Sequence, residues 1–403
     1  MSAVITSLPL RGESRSAFYL QSFSVAYEYT VCFTEHLFAH QNPVFRDTLS
    51  RREPGRRHRF VTFIDANVAC SFPSLADDIK SYADLHGQTM EMLAHPEVVP
   101  GGEPVKNDPQ LLTRLQHRLV ELGVDRHAFV VGIGGGAFLD LIGYVASSTH
   151  RGIRHIRVPT TVLAQNDSGV GVKNGVNAFG VKNLLGSFAP PFAVLNDSTF
   201  LRTLQPRDKI AGIAEAVKVA LIRDRMFFDW LDSNAAGLRD CEPAAMGHMI
   251  RRCAELHMRQ IALGGDPFET GSARPLDYGH WSAHKLESLT AHALRHGEAV
   301  AIGLALDARY SVQIGMLPAG GEDRVHALLK RLGFHLWHPA LESRDAEGQW
   351  QLLRGLEEFR EHLGGDLTIT LLRGIGVGEE VHQMDAGEIL AALVWLRRQE
   401  QGA

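Results

Sequence analysis

The sequence lacks an excess of charge of either sign. Its 403 residues include 41 lysines and arginines and 46 aspartates and glutamates, which gives a net charge of −5. A protein that binds duplex nucleic acid needs a basic face, so we do not expect nucleic acid as a partner. The sequence also lacks an apolar run of about 18 residues, the usual minimum for a membrane-spanning helix. We therefore expect no membrane partner.

Cysteine is scarce, and its spacing indicates neither disulfides nor a metal site. The four cysteines are far apart and form no CxxC motif. We interpret them as reduced thiols, which is typical of a cytoplasmic protein. The first 20 residues mix charged side chains with short apolar pieces and lack the apolar core of a secretory signal. We expect residues 1–20 to form a tail that is poorly fixed.

The pattern of apolar residues predicts an α/β protein with two halves. Residues 60–64 and 129–133 are typical of buried strands, and residues 24–33 of an edge strand or hairpin. Beyond residue 200 the periodicity is helical. We therefore predict an α/β domain over residues 21–200 and an α-helical domain over residues 201–403, with a site between them. The clearest helical segments of the second domain are residues 210–223, 244–263, 281–294 and 297–313.

Three consecutive glycines stand between a predicted strand and a predicted helix. The segment GIGGGAFLD, residues 132–140, follows the strand directly. In this position the backbone can approach a ligand closely, and the N–H groups of the helix face its charge. The segment therefore indicates a phosphate or dinucleotide site. It is not the GxGxxG fingerprint, so a simple tight turn is the alternative.

A second segment, residues 165–187, combines glycines, asparagines and two lysines after a predicted strand. Lys173 and Lys182 supply point charges for a phosphate, and Asn177 and Asn183 supply neutral donors. We interpret the segment as a functional loop, because long loops without secondary structure are uncommon and usually have a function. The alternative is an ordinary solvated loop.

Three candidate metal ligands lie in the predicted helical half. Glu215 and Lys218 are three residues apart and share a helix face, while His280 and His284 are four apart. His296 opens another predicted helix. One glutamate and two histidines leave an open coordination position, as a catalytic zinc ion requires. Three HxxxH pairs occur among the 20 histidines, so ordinary structural histidines remain the alternative.

Two weaker signals lie in the first half. Asp65 and Asn67 follow the first strong strand, and a carboxylate at the end of a strand commonly binds a ribose hydroxyl. Glu103 and Lys106 follow a glycine pair. A purely structural role is the alternative for both pairs.

Taken together in their order, these motifs resemble the sugar phosphate cyclases, the family of 3-dehydroquinate synthase. The ordered set is GGE…K, GGG…D, PTT, D…K–GVN…KN, AE…VK, GH…H…E and HGEAVAIG. The resemblance extends from about residue 24 to residue 384. It implies a Rossmann-like N-terminal domain, an α-helical C-terminal domain and a homodimer. It also implies NAD⁺, a divalent metal such as Zn²⁺ or Co²⁺, and a sugar phosphate substrate.

The resemblance also assigns roles to residues of this chain. The implied metal ligands are Glu215, His280 and His296, and the implied catalytic residues are Asp167, Lys173, Lys218 and His284. The implied cofactor contacts are Asp65, Asn67, Glu103, Lys106, Gly135, Gly136, Asp140, Thr160, Thr161, Asp167, Lys182, Phe200 and Thr203. The implied substrate contacts are Arg151, Lys173, Asn183, His257, Arg274, Asp277 and His284, with Arg151 reaching the site of a neighbouring subunit.

The family's reaction has five stages, and the resemblance implies the same stages here. NAD⁺ and the metal oxidise a ring alcohol, which acidifies the adjacent C–H so that phosphate is eliminated. The hydride then returns, the ring opens, and an intramolecular aldol step closes a carbocycle. NAD⁺ is regenerated in each turnover.

Three positions that face the substrate depart from the pattern of 3-dehydroquinate synthase. His257 replaces a lysine, Asp277 replaces an asparagine, and Arg274 lies one residue closer to the metal histidine than the family's carboxylate-binding arginine. These changes remove positive charge and disfavour a carboxylated substrate. They favour an uncharged ketose end, as in sedoheptulose 7-phosphate, and the N-terminal segment also resembles cyclases of that sugar. His284, in contrast, is retained as in 3-dehydroquinate synthase.

Two other functions remain as alternatives. An iron-type alcohol dehydrogenase has a similar glycine turn and metal histidines, but Glu215 and the lysine-rich segment disfavour it. A non-catalytic relative that binds a ligand is the second alternative. The complete glutamate and histidine set and Lys173 disfavour that alternative.

Overall fold

The structure is a computed structural model, and it describes residues 4–8, 18–265, 267–268, 275–362 and 367–402. Its strands are β1 (Val4–Leu8), β2 (Phe18–Ser22), β3 (Thr30–Thr34), β4 (His58–Asp65), β5 (Met90–Met92), β6 (Glu97–Val99), β7 (Phe129–Gly134), β8 (Arg154–Pro159), β9 (Lys173–Ala178), β10 (Val181–Phe188), β11 (Ala193–Asp197), β12 (Ile369–Gly374) and β13 (Val377–Val381).

Helices surround the largest sheet and form most of the second half. They are α1 (Val44–Ser50), α2 (Ala66–Ser71), α3 (Leu75–Leu85), α4 (Pro109–Glu121), α5 (Gly136–Ser148), α6 (Pro206–Ala211), α7 (Ile213–Arg223), α8 (Arg225–Ser233), α9 (Ala235–Arg239), α10 (Pro243–Leu263), α11 (His280–Leu289), α12 (His296–Gln313), α13 (Gly321–Arg331), α14 (Gln351–His362) and α15 (Ala386–Gln401).

The largest sheet in the described part of the chain is parallel and has seven strands. Its order is β3-β11-β8-β7-β4-β5, and β6 pairs with β4 beyond β5. Alternate residues of β4 face opposite cores: Phe60 and Ile64 pack on one side, and Val61 and Phe63 on the other. A sheet buried on both faces requires apolar residues at successive positions, which explains the FVTFI and FVVGI runs. Parallel strands also bring all their carboxyl ends to one edge.

The helical half is built around one continuous apolar core. Helices α7 and α12 are its centre, and nearly every residue of α7 is buried, including Glu215 and Lys218. Two charged side chains in an otherwise apolar helix must be paired with each other or with a ligand. The core of the helical half therefore contains two buried charged residues, Glu215 and Lys218.

The strands predicted over residues 60–64 and 129–133 and the glycine turn are confirmed. The predicted edge strand begins only at Thr30, and three other local expectations are wrong. Residues 4–8 of the predicted tail form β1, which pairs with β2 in an antiparallel ribbon, and the poorly fixed tail itself stays a prediction. The predicted loop over residues 165–187 is a π-helical turn followed by the hairpin β9–β10. The helix predicted over residues 281–294 ends at Leu289, and Gly212 divides the one predicted over residues 210–223 into α6 and α7.

The remaining expectations at this level concern domains, thiols and membranes. The last strand of the large sheet ends at Asp197 and α6 begins at Pro206, while the division at residue 200 stays a prediction. The cysteines of the described residues are free. No helix that the structure describes is long and apolar enough to cross a membrane.

Candidate active site

Glu215, His280 and His296 lie close together at one end of the helical core. They come from α7, α11 and α12, and their nearest potential ligand atoms all lie within 4.8 Å of one another. The Nε2 atoms of His280 and His296 are 3.6 and 3.5 Å from Oε1 of Glu215. These distances are long for hydrogen bonds, but a cation at about 2 Å from each ligand fits between them.

The Glu215 carboxylate supports this interpretation. It is completely buried, yet neither oxygen has a well-formed hydrogen bond with a described residue. Lys218 forms a close ion pair with Oε2, which leaves Oε1 facing the two imidazoles. A buried carboxylate oxygen without a hydrogen bond is costly, and a divalent cation would satisfy it. The three residues therefore fit a metal ion.

The charges around the cluster keep Glu215 and His280 in their ligand forms and protonate His296. Burial disfavours ionisation of Glu215, but Lys218 and the two histidines outweigh it and hold its pKa well below the usual range. Burial and Lys218 lower the pKa of His280 to about 4, so this imidazole is neutral. Burial also disfavours a charged His296, but Glu215 and Glu287 raise its pKa to about 10. A cation that binds here displaces a proton from His296.

A sharp turn positions His280. Gly279 precedes α11 at φ +76°, and a Cβ there would lie 2.9 Å from the backbone nitrogen of Leu304. Only glycine tolerates both the dihedral angle and the close approach. The buried Asp307 accepts hydrogen bonds from the Gly279 nitrogen at 3.2 Å and from Trp281 Nε1 at 3.0 Å. His280 in turn donates from Nδ1 to the Tyr278 carbonyl at 3.0 Å, which leaves Nε2 for a cation.

His284 lies at the exposed side of the same cluster. Its ring centroid is 5.4 Å from that of His280 and 6.1 Å from that of His296. It faces the solvent-accessible side, whereas Glu215 lies on the buried side. This position suits contact with a ligand rather than with the core.

Asp167, His257 and Lys218 form a second polar group beside the cluster. Nδ1 of His257 donates to Asp167 at 2.7 Å, because a carboxylate can only accept. Burial disfavours ionisation of Asp167, but the charges of Lys218 and His257 outweigh it and lower the pKa. Burial likewise opposes a charged Lys218, while Glu215, Asp167 and, more weakly, Asp277 raise its pKa. Lys218 therefore stays protonated.

Arg157 is a positioning residue that the sequence analysis missed. It is 1% exposed, and its guanidinium binds the carbonyls of Gly169 at 3.0 Å and Gly171 at 2.7 Å. It also binds the carbonyl of Lys173 at 2.8 Å and Oδ1 of Asn174 at 2.6 Å. These contacts fix the chain between Asp167 and the hairpin. A lone arginine inside a strand gives no local sign of such partners, so the sequence carried no signal for it.

Lys106 joins the hairpin to α5 and forms a buried ion pair. Lys106 is 4% exposed and contacts Asp140 on α5 at 2.7 Å and, at a shorter distance, Oδ1 of Asn183 on β10. The backbone nitrogen of Asn183 donates to Asn177 at 2.9 Å. Glu103 lies 3.5 Å from the amide of Asn177. Residues predicted in three separate motifs therefore form one polar network.

The carboxyl edge of the sheet brings together the ends of four strands. Asp65 ends β4, accepts from the backbone nitrogen of Asn67 at 2.8 Å, and touches Gly101, where a Cβ would clash with its carboxylate at 2.0 Å. Gly135 caps the 13-residue helix α5 without a side chain, so the first N–H groups stay open to an anion. Gly136, Thr160 and Thr161 line the same edge. This arrangement fits a dinucleotide.

Phe200 and Thr203 extend this edge beyond β11. Phe200 is buried against Phe72, with ring centroids 5.2 Å apart, and Thr203 is exposed at the end of the same 3₁₀ turn. A cavity of about 490 Å³ opens beside Phe200 and Asp197. The cavity lies at the carboxyl ends of β3 and β11.

The remaining predicted residues differ in their distance from these groups. Arg151 is exposed in the turn between α5 and β8, at the amino edge of the sheet and so opposite the site. Lys173 is exposed at the start of β9. Asp277 ends a 3₁₀ turn two residues before Gly279. Lys182 approaches Glu287, a residue of α11 to which the sequence analysis gave no role. Arg274 lies outside the described residues.

Comparison with known proteins connects this geometry to one family. A family model described as 3-dehydroquinate synthase N-terminal matches residues 97–211, and one described as 3-dehydroquinate synthase C-terminal matches residues 212–353. A 3-dehydroquinate synthase of Halorhodospira halophila is 38% identical over 66% of this chain and 73% of its own length. One of a Ruegeria species is 36% identical over 76% of this chain and 81% of its own length.

Solved structures give the same result at the level of the fold. The 2-epi-5-epi-valiolone synthase of Streptomyces hygroscopicus, with NAD⁺ and Zn²⁺ bound, is 30% identical with a TM-score of 0.81, over 94% of this chain and 99% of that one. A 2-deoxy-scyllo-inosose synthase with NAD⁺ and Co²⁺ is 24% identical with a TM-score of 0.71, and the match covers 94% of this chain and 95% of that one. A probable glycerol dehydrogenase of Sinorhizobium meliloti shares the fold alone. It is 16% identical with a TM-score of 0.60, and the match covers 93% of this chain and 98% of that one.

Proposed function

This chain belongs to the 3-dehydroquinate synthase family of sugar phosphate cyclases, and from that premise we propose that it cyclises a heptulose 7-phosphate. The chain is an enzyme, a phosphate-eliminating carbon–oxygen lyase like its relatives. The proposed reaction is oxidation of a secondary alcohol, elimination of phosphate, return of the hydride and aldol closure. The observation that carries the proposal is the buried Glu215, whose oxygen faces two histidines without a hydrogen bond.

The residues of the site fit both groups that the reaction needs. When bound, a divalent cation such as Zn²⁺ or Co²⁺ and NAD⁺ supply a Lewis acid and a hydride acceptor. Glu215, His280 and His296 would hold the cation. The cofactor would lie along the carboxyl edge of the sheet, on Asp65, Asn67, Gly135, Gly136, Thr160 and Thr161.

The polar groups of the chain orient the sugar and its charges. Lys218 is an ammonium group held by Glu215 and Asp167, so it can donate to a sugar oxygen next to the cation site. His284 faces the open side, where desolvation and the two neighbouring histidines lower its pKa to about 3, so it is a neutral imidazole that can accept a proton. Lys173 and Asn183, on the hairpin, are the proposed phosphate contacts. Most of the work of these residues is orientation and electrostatic stabilisation.

One observation favours sedoheptulose 7-phosphate over the carboxylated substrate of 3-dehydroquinate synthase. His257, where those synthases carry a lysine, gives its Nδ1 hydrogen to Asp167 rather than to a ligand. Asp277 adds a negative charge near Lys218. A carboxylate would lack the positive charge that it needs here, whereas an uncharged hydroxymethyl ketone needs none. The 30% identical relative is named for a valiolone product, which agrees with this preference.

We also propose a homodimer in the cytoplasm. Arg151 lies at the sheet edge opposite to its own site, so a role in catalysis requires a second copy of the chain. Mixed subunits test this role. If Arg151→Ala and Glu215→Gln proteins regain activity when they are mixed, each site uses an arginine of its neighbour. Sedimentation velocity measures the oligomeric state itself.

The proposed reaction is tested by offering two sugars to the purified protein. With NAD⁺ and Zn²⁺ or Co²⁺ present, we expect phosphate release from sedoheptulose 7-phosphate and a carbocyclic product by mass spectrometry and NMR. Release only from 3-deoxy-arabino-heptulosonate 7-phosphate, with 3-dehydroquinate formed, would contradict the substrate preference but support the cyclase reaction. Release from neither sugar, despite bound NAD⁺ and metal, would contradict both.

A further inference from the structure

Glu287 connects a metal-ligand histidine to the hairpin. It lies on α11, seven residues after His280, and its side chain is 7% exposed. Its two oxygens have different partners: Oε2 is 3.1 Å from Nδ1 of His296, and Oε1 is 3.4 Å from Nζ of Lys182. Lys182 belongs to β10 in the first half of the chain, and its side chain is 40% exposed. A buried carboxylate thus bridges the two halves.

The contact with His296 decides which nitrogen is available for a cation. A carboxylate can only accept, so Nδ1 keeps its hydrogen and Nε2, which faces Glu215, is the nitrogen that gives up its proton to a cation. Metal-ligating histidines commonly donate their other N–H to a carboxylate or carbonyl, which fixes the tautomer and raises the basicity of the ligand. His280 has a neutral carbonyl in this position, whereas His296 has a full negative charge.

The contact with Lys182 connects this arrangement to the cofactor region. The Glu287 carboxylate lies between the His296 imidazole, at 3.1 Å, and the Lys182 ammonium group, at 3.4 Å. Glu287 therefore shares one negative charge between an imidazole and an ammonium group. If Lys182 turns toward another anion, the whole charge of Glu287 acts on His296.

We propose that Glu287 is a positioning residue that orients His296 toward the metal and, through Lys182, couples metal binding to NAD⁺ binding. The coupling rests on the proposed function, in which Lys182 contacts the cofactor. NAD⁺ draws Lys182 away from Glu287, which makes His296 the stronger ligand. Because coupling between two sites is reciprocal, the metal also tightens NAD⁺ binding by the same factor.

The positioning role is tested by Co²⁺ binding rather than by activity. Titration of the full-length protein with Co²⁺, followed by its visible spectrum, gives both the affinity and the coordination geometry. Glu287→Gln can still accept from Nδ1 but lacks the charge, and Glu287→Ala lacks both. We expect affinity to fall by about 10- to 100-fold in Glu287→Ala, with a changed spectrum, and by less in Glu287→Gln.

Glu298→Gln is the matched control for this test. Glu298 is on the same helix as His296, two residues later, but its carboxylate binds Arg207 at 2.6 Å and no imidazole. We expect this variant to bind Co²⁺ with the affinity and spectrum of the wild type. The positioning role is overturned if Glu287→Gln and Glu287→Ala do the same, or if the control loses affinity as strongly as they do.

The coupling is tested in the wild type, where folding is not in question. We expect saturating NAD⁺ to tighten Co²⁺ binding at least about threefold, and Lys182→Met to abolish that difference. Equal Co²⁺ affinities with and without NAD⁺ would overturn the coupling. An absence of cyclase activity in a protein that shows the coupling would instead count against the proposed reaction. Failure of the coupling and failure of the proposed reaction therefore give different results.

Discussion

At the scale of single residues, the site depends on a carboxylate that has too few hydrogen bonds for its burial. Glu215 is fully buried, and among the described residues its close charged contact apart from the histidines is Lys218, three residues later. The sequence predicted this pair from helical spacing, and the two histidines from their positions at predicted helix starts. It gave no role to Glu287, although the residue was within the GH…H…E motif, because an acidic residue on a helix is usually solvated.

Replacement of Glu215 by glutamine should abolish the metal site. The amide keeps the shape but not the charge that holds the cation, and it leaves Lys218 buried without its partner. We expect Zn²⁺ or Co²⁺ affinity to fall by more than about 100-fold, beyond the range for residues that only support a ligand. Isothermal titration measures the affinity. Glu322→Gln, a buried carboxylate paired with Arg309 at 2.8 Å, is the control and should bind metal normally.

Replacement of His257 by lysine should change the substrate preference. The variant restores the positive charge that 3-dehydroquinate synthases carry at this position, close to Asp167. A hydrogen bond from a charged group contributes about 1.5–3 kcal/mol, so we expect the kcat/KM ratio to move about 10-fold or more toward 3-deoxy-arabino-heptulosonate 7-phosphate. Steady-state kinetics with both sugars measures the ratio. An unchanged ratio would mean that His257 does not face the part of the substrate that differs.

At the scale of elements, the sequence predicted the strands and helices that are indicated by consecutive residues. It missed the elements whose form depends on residues that are distant in the chain. The strands around residues 60 and 130 and the helix after the glycines were predictable, because burial on both sheet faces demands apolar runs. The hairpin β9–β10 was not predictable, because its residues are polar and glycine-rich and because Arg157 of β8 fixes its start. Likewise, Gly212 divides α6 from α7 where it packs against Val162.

Replacement of Arg157 by glutamine should destabilise the segment that carries Asp167 and Lys173. The change removes a buried guanidinium and leaves the carbonyls of Gly169 and Gly171 without their donor. We expect a loss of about 2–4 kcal/mol in the free energy of unfolding, measured with urea, and a lower kcat. Arg154→Gln, on the same strand but partly exposed and paired with Glu53, should lose less than about 1 kcal/mol.

Asp307 gives the turn before α11 a pH dependence. Burial raises the pKa of Asp307 from 3.8 to about 7, against the hydrogen bonds from Trp281 and Gly279. Between these values the folded protein keeps a proton that the unfolded chain has lost. The contribution of Asp307 to the free energy of unfolding is therefore complete below pH 3.8, falls as the pH rises toward 7, and is constant above it.

The Asp307→Asn variant isolates this effect. The variant cannot titrate at this position, so the difference in free energy of unfolding between wild type and variant should shrink as the pH rises from about 4 to about 7. Urea unfolding at several pH values measures the difference. Asp323→Asn, an exposed carboxylate on α13, should show no such trend relative to the wild type. A constant difference for Asp307→Asn would show that its carboxyl group keeps an ordinary pKa.

At the scale of the whole molecule, a parallel sheet and a helical core present their polar residues to one region. The sheet supplies the ends of β4, β7, β8 and β11, and the helical core supplies α7, α11 and α12. The order of the motifs along the sequence was enough to predict this pairing of an α/β half with a helical half. The family's fold is shared with dehydrogenases, so the fold does not decide between the two reactions.

The ratio of phosphate released to NADH formed tests the proposed reaction most directly. The protein is incubated with one equivalent of NAD⁺, Zn²⁺ or Co²⁺ and an excess of sedoheptulose 7-phosphate, and both products are followed over time. A cyclase returns the hydride in every turnover, so we expect many phosphates per NAD⁺ and no accumulation of NADH. Accumulation of NADH in step with substrate consumption, without phosphate release, would contradict the cyclase and identify a dehydrogenase.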